Sequence, residues 1–395
     1  MLHPEDSRVV VRGLEGVVAA ETKISYVDGA NGELFYQGYN IHDLAERVAF
    51  EEVIHLLWTG ELPTAGQLSE LRRRLVGAMH LPSQVIKAIE LTPPGAHPMS
   101  VLRTAVSMLG MFDPDSDSGT DGSNVRKGTR LCAQVPAIVA SLHRVRKGLP
   151  ILSPDPKLSL SGNFLYMMHG RAPDADEQRA IDLLMVLLAD HGLNASTFAA
   201  RVVSSTLSDL HSAVAAAVGA LKGPLHGGAN QRVMEMLLEI DNEGEVEAYI
   251  QGMLDDKKRI MGFGHRVYKV EDPRTRHLKK FSEILCRRAD LGEFYRLSHR
   301  IEEVVRDKKG IYPNVDFYAA TVQYALGIPH DHFTAVFAAA RTPGWVAHVL
   351  EQYADNRLIR PTSKYVGPLK REFLPLEERR DREATAHETL AGAAS

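Results

Sequence analysis

Residues 207–230 read LSDLHSAVAAAVGALKGPLHGGAN, and the change of pattern inside this stretch decides the fold class. Up to Leu221 it is rich in Ala and Gly (Ala213, Ala215, Ala216, Ala217, Gly219, Ala220), which predicts a helix that a second helix can approach closely. Lys222-Gly223-Pro224 ends that helix, and a domain boundary is expected there. Beyond it, Val233, Met236, Leu237 and Ile240 recur at i, i+3, i+4, i+7, so another helix follows. His226 therefore stands at or just before a helix N-terminus.

Outward from this stretch, helical spacing dominates. Thr64 and Gln67 read as a capping box, with Leu68, Leu71 and Leu75 along one face and a stop near Leu81-Pro82. Further helices are expected over 43–58, 99–112, 131–146 and 177–190. Strand signals are confined to 9–11, 22–27 and 33–36, with Asp28-Gly29 and Asn31-Gly32 as turn chemistry. The Asp-, Ser- and Gly-rich segment 113–127 reads as an exposed connection, and the tail from Glu377 lacks apolar periodicity and is expected to be mobile.

The length of 395 residues suggests two to three domains, and 44% hydrophobic with 24% charged residues excludes a disordered chain. Lys and Arg number 46 against 50 Asp and Glu, a net charge of −4, so nucleic acid is not an expected partner and any anion site must be local. Cys132 and Cys286 stand far apart with no CxxC, which argues against a disulfide framework or structural zinc and fits a reducing cytoplasm. The first residues, Met1 to Asp6, carry no basic and apolar leader, and the densest apolar run, 183–189, is too short to span a membrane.

Several segments carry candidate chemistry. At a helix N-terminus the dipole disfavours imidazolium, so a neutral His226 can donate to a carbonyl oxygen, although packing in a Gly-rich turn fits the segment as well. Six Lys or Arg residues fall between 257 and 274, which points to an anion site. Gly262 and Gly264 match only part of a dinucleotide fingerprint, without its third glycine or preceding strand. Asp316 lies in an apolar setting that would raise its pKa and make it a base, or it caps a helix after Pro313-Asn314. Arg341 follows a small-residue apolar run and, if buried, needs an anionic partner. His191 closes an apolar helix or caps its C-terminus. His330 and His332 invite a metal reading, but no HExxH set accompanies them.

Taken in order, LKGPLHGGAN (221–230), IMGFGHRVYK with DPR (260–274), IYPNVDFY (311–318) and NRLIRP (356–361) resemble the citrate synthase family, and the similarity runs from Arg12 to Gly367. The resemblance implies an all-α, two-domain helical fold with a few short N-terminal strands. A large domain would comprise 1–221 and 326–395, a small domain 222–325, and the active site would lie in the cleft between them. The implied activity is an acyl transfer that enters the tricarboxylic acid cycle, joining acetyl-CoA to oxaloacetate to give citrate and CoA. No prosthetic group or metal is implied, and the CoA thioester is a substrate. By resemblance Asp316 is the base, His226 the donor to the enolate oxygen, and His265 the group that polarises the ketone. His191, Arg274, Arg341 and Arg360 would bind oxaloacetate, and Lys258, Arg259 and Lys269 are candidates for the CoA phosphates. A cytoplasmic homodimer is implied, with Arg360 reaching the partner subunit's site, and the short N-terminal region is similar to dimeric rather than hexameric members. The alternatives are a 2-methylcitrate synthase using propionyl-CoA and a non-catalytic helical binding protein. An ATP-using lyase would need a GxxxxGK[ST] loop, which the sequence lacks.

Overall fold

A computed structural model describes residues 9–379. Several of its helices start at a side-chain cap. Thr64 receives the Gln67 amide while the Gln67 side chain returns to the Thr64 N–H, and this capping box opens helix α3 (Ala65–Ala78). Two helices precede it, α1 (Ile41–Arg47) and α2 (Phe50–Thr59), and two follow, α4 (Ser83–Glu90) and α5 (Pro98–Phe112). Next come α6 (Asp121–Arg146), α7 (Leu160–His169), α8 (Ala175–Leu188), α9 (Ala195–Ser205) and α10 (Leu210–Leu221). The remainder are α11 (Ala229–Leu238), α12 (Val246–Asp255), α13 (Thr275–Arg288), α14 (Gly292–Lys309), α15 (Val315–Ala325) and α16 (Phe333–Ala354). Strands β1 (Ser25–Asp28), β2 (Glu33–Tyr36) and β3 (Tyr39–Asn40) form one antiparallel sheet in the order β1-β2-β3, with Val27 opposite Leu34. The fold is all-α with this one small sheet.

The described residues divide into two units, 20–359 and a second unit of 9–19 with 360–379. In the first, α16 and α6 supply much of the buried interior. Phe333 through Val349 is buried along α16, and Leu131 through Leu142 along α6. The two helices meet where Gly128 leaves room for Val346. The Ala-rich α10 lies against α9 and α5, so its small residues serve packing within the subunit. The second unit has short turns at Arg12–Leu14 and Leu376–Glu378 and exposes Val18, Val366 and Phe373.

Three expectations need correction. The helix expected over 43–58 is two, because Val48 turns extended and the Glu52 carboxylate caps the Ala49 N–H at 2.9 Å, starting a new helix. The strand expected over 9–11 is absent; no strand pairs with it among the described residues, and a 3₁₀ turn follows. The connection expected over 113–127 already contains the start of α6, capped by Thr120. Its charges pair locally, Arg130 with Asp113 and Arg126 with Asp115, and Lys127 is buried with its ammonium on the Ser118 carbonyl. The expected tail mobility and the leader-free start fall largely outside the described residues.

Gly344 in α16 faces the end of α8, where an added Cβ would meet the Ala189 carbonyl and lie 2.6 Å from Asp190 Oδ1. Gly344→Ala is expected to destabilise the protein by about 1–3 kcal/mol, the usual cost of overpacking a filled interior. The measurement is a lower urea midpoint at unchanged slope; an unchanged midpoint would show that α8 yields freely.

Candidate active site

Asp272 organises one side of the site. It is 1% exposed and grips Arg274 with two bonds, 2.9 Å to Nε and 2.8 Å to Nη2, while also accepting the Val315 amide at 3.2 Å. Val315 is the first residue of α15, so one carboxylate fixes both Arg274 and the helix start that carries Asp316. Asn314 takes the capping position, accepting the Asp316 N–H, and this leaves the Asp316 side chain free of capping duty. The segment ahead of α15 pairs with the segment ahead of His265. Gly264 N–H donates to Tyr312 O, Asn314 N–H to Gly262 O, and Asn314 Nδ2 to Gly264 O. Gly262 is required here, with φ of +78° and no room for a Cβ beside Phe317 and Val233.

The Asp316 carboxylate accepts no hydrogen bond from the described residues. Burial pushes its pKa up to about 6, against the pull of Arg274. Such a group is ionised at neutral pH yet basic enough to accept a proton.

His226 lies in the turn before α11, but its ring meets a different helix. Nε2 accepts the backbone N–H of Ser196 at 3.3 Å and lies 2.9 Å from Ser196 Oγ. Ser196 is the second residue of α9, which Asn194 caps, so the imidazole rests on the positive end of α9. With Nε2 as acceptor, the ring proton is on Nδ1. Burial, with Arg341 adding to it, lowers His226 to about 4. His265 has the opposite tautomer. Its Nδ1 accepts from the Val267 and Tyr268 amides at 3.0 and 3.1 Å, so Nε2 carries the proton, and burial again lowers the pKa to about 4. His191 lies in the turn after α8 and packs edge-on against His265, 5.3 Å between centroids, with Nε2 3.2 Å from Tyr268 Oη. Burial keeps it neutral too.

Arg341 is buried in the middle of α16. Its Nε donates to the Leu188 carbonyl at 2.5 Å and its guanidinium lies 4.9 Å from the Phe337 ring centre. Among the described residues no carboxylate is in ion-pair range of it. The nearby Asp190 is engaged instead by Ser25 Oγ, the Gly192 amide and His348. Arg341 thus has its terminal nitrogens available to an anion, and its charge acts on His226, His191 and Asp316. The group offers a carboxylate binder, two oriented N–H donors for carbonyl oxygens and a carboxylate base.

The loop carrying His265 is held from outside by the β1-β2 turn. Lys269 N–H donates to Gly29 O at 2.9 Å, and Gly29 and Gly32 press against Val267 and Val270. Lys258 is exposed and paired with Asp256 at 2.9 Å, Arg259 is exposed, and the Lys269 side chain points to solvent. Arg360 belongs to the second unit. In the 330–332 turn, Asp331 binds both His332 and Arg146, and no described cluster of three or more His, Cys, Asp or Glu has metal-binding geometry. Sequence reading did not assign Ser196, Asp272, Tyr268 or Asp190; the Asn194 cap and the Asp272-Pro273-Arg274 run were the available signals for the first two.

A family model described as citrate synthase, C-terminal domain, matches residues 13–362. Citrate synthase 2 of Bacillus subtilis is 48% identical over 93% of this chain and 99% of its own length. 2-Methylcitrate synthase 2 of Corynebacterium glutamicum is 44% identical over 94% of this chain and 98% of its own. The citrate synthase of Thermoplasma acidophilum, solved with carboxymethyl coenzyme A and oxaloacetate, superposes with a TM-score of 0.89 at 33% identity, covering 94% of this chain and 100% of that one. With the family model and full-length relatives in agreement, this chain belongs to the citrate synthase family.

Proposed function

We propose that the protein condenses acetyl-CoA with oxaloacetate and water, giving citrate and CoA. The observation that carries this reading is the arrangement around Arg274 and Arg341, whose charges act on an unbonded carboxylate, Asp316, and on imidazoles whose donor nitrogens are fixed by their partners. Asp316 removes a proton from the acetyl methyl group. His226 Nδ1–H donates to the thioester oxygen as negative charge builds there. The resulting carbon nucleophile attacks the ketone carbon of oxaloacetate, and His265 Nε2–H serves the oxygen that becomes the hydroxyl. Water then cleaves the thioester and releases CoA. Arg274, Arg341, His191 and Arg360 bind the oxaloacetate carboxylates, for which planar guanidinium groups suit better than ammonium groups. Lys258, Arg259 and Lys269 are assigned to the CoA phosphates on their charge and exposure.

On the same reading residues 222–325 are the smaller of two domains. The helix-free stretch between α10 and α11 and the turn between α15 and α16 support those borders. The working form is a homodimer in which Arg360 serves the partner subunit's site. Exposure of Val366 at 85%, Phe373 at 79% and Leu376 at 75% supports an arm that a second copy covers. Both cysteines are free and buried, which fits a reducing cytoplasm; the proposed reaction would give the protein a place in the tricarboxylic acid cycle. No described helix is long and apolar enough to cross a membrane.

Thiol release from acetyl-CoA is expected only with oxaloacetate present. The relatives also favour a second reading, in which propionyl-CoA gives 2-methylcitrate. One methylene in an apolar pocket is worth about 1–3 kcal/mol, so kcat/KM for the two thioesters decides between them. Acetyl-CoA is expected to lead, and a propionyl-CoA preference would reverse the assignment.

Asp316→Asn is expected to lower kcat by about 10²- to 10⁴-fold, the range for losing a positioned base, with oxaloacetate affinity by calorimetry nearly unchanged. In the unmodified protein kcat/KM should rise with pH through about 6 as Asp316 ionises, while His226 and His265, near 4, stay neutral. Loss of oxaloacetate binding in Asp316→Asn would remove Asp316 from the role of base.

Arg360→Ala and Asp316→Ala proteins, each inactive, should regain activity when unfolded and refolded together, because a heterodimer has one site with both residues intact. No recovery despite heterodimers seen by mass spectrometry would assign Arg360 to its own subunit.

A further inference from the structure

Away from this site, α1, the turn after it at Val48 and Ala49, α8 and α13 line an open pocket of about 400 Å³, with Arg47, Arg179 and Lys280 exposed at its rim. Pockets for small organic ligands span about 300–1,000 Å³. Three cationic side chains line it, Arg47 from α1, Arg179 from α8 and Lys280 from α13, against two carboxylates, Glu46 and Asp182. Of the carboxylates, Asp182 is hydrogen-bonded, whereas the exposed Glu46 meets only the neutral His277 ring. Asp182 accepts from Ser161 Oγ at 2.6 Å and Gln178 Nε2 at 2.7 Å, and Glu46 lies 3.4 Å from His277 Nδ1.

The cations are not so engaged. Arg47 holds Asp43 only loosely at 3.5 Å on the surface, and Arg179 and Lys280 have no carboxylate partner among the described residues. Their neighbours on or beside the same helices, Arg171, Arg287 and Arg288, each hold one at 2.7 Å or less. A pocket whose three cations come from three separate helices and outnumber its two acids is suited to a compact anion with several oxygens. A phosphate-bearing ligand meets that need because it accepts from guanidinium and ammonium donors at once.

The walls of the cavity also lead to the reaction site. The C-terminal turn of α8 offers the Leu188 carbonyl that holds Arg341, and Arg274 is the cap residue of α13. At their other ends the same two helices are tied by Arg288 to Asp174 and Asp176. An anion that bridges Arg179 and Lys280 therefore joins the two helices that position Arg341 and Arg274.

We propose that this cavity binds a small phosphate-bearing anion and that its occupancy changes the affinity of the reaction site for oxaloacetate. The second half rests on the substrate reading above; the first does not. The test uses inorganic pyrophosphate as probe, titrated calorimetrically into the full chain saturated with CoA, so that groups binding the CoA phosphates are already occupied. The comparison is the Arg179→Gln, Lys280→Gln double variant, checked for unchanged melting temperature and basal rate. Pyrophosphate should bind the unmodified protein and bind the variant at least tenfold more weakly. Oxaloacetate affinity should shift by about fivefold or more when pyrophosphate is present, and only in the unmodified protein. Equal pyrophosphate affinity in the two proteins, or none tighter than about 1 mM in the unmodified one, would overturn the site. An oxaloacetate affinity that pyrophosphate leaves unchanged would overturn the coupling. A wrong substrate reading is visible separately, as absence of oxaloacetate-dependent thiol release, and leaves the pyrophosphate comparison intact.

Discussion

The reaction site depends first on a carboxylate that hardly touches water. Burial works against the charge of Asp272, but the Arg274 guanidinium more than offsets it, and the carboxyl stays below its ordinary range. A buried ion pair of this kind is weak evidence for stability, since its desolvation is costly, yet loss of one partner alone costs about 3–5 kcal/mol. Its value here is positional. The pair ties an arginine to the first amide of α15, and the following residue is Asp316. Two segments more than forty residues apart are thereby held in one geometry.

A second constraint is electrostatic. Arg274 and Arg341 create a positive field that favours anionic ligands and would hold any nearby imidazole deprotonated. The three half-buried histidines lie in that field, so each is a neutral donor with one proton, and its neighbours decide which nitrogen carries it. Ser196 does this for His226 and the Val267 and Tyr268 amides for His265. On the proposed mechanism, the residues that set the tautomers matter to the chemistry as much as the rings themselves.

The parts of this arrangement legible in the sequence are those with local signals. The Thr64–Gln67 box, the 3.6-residue spacing after Ala229 and the Gly-Pro stop near Lys222 are written within a few residues of where they act. So are the motifs that carry His226, His265 and Asp316. What escaped depends on contacts distant in sequence. Nothing near Ser196 says that its amide meets a ring thirty residues later, and nothing near Asp182 says that α13 will face it. The missed start of α6 has a different cause. Its Asp, Ser and Gly residues are poor helix formers, and only the Thr120 cap and the arginines that neutralise Asp113 and Asp115 make that turn stable.

The long central helix α16 also governs when the protein can be made. It supplies Arg341 and a long buried stretch from Phe333 to Val349, and its partners come early in the chain: Trp58 bonds to the Pro343 carbonyl, and the Glu351 carboxylate accepts the Lys23 amide at 2.8 Å. Contacts that span some three hundred residues close late, because the loop between them must be ordered before they form. During synthesis the small sheet and the fifteen preceding helices therefore leave the ribosome with the apolar surface meant for α16 still uncovered. The nascent chain is most exposed to aggregation in that interval, and it escapes only when its last long helix emerges.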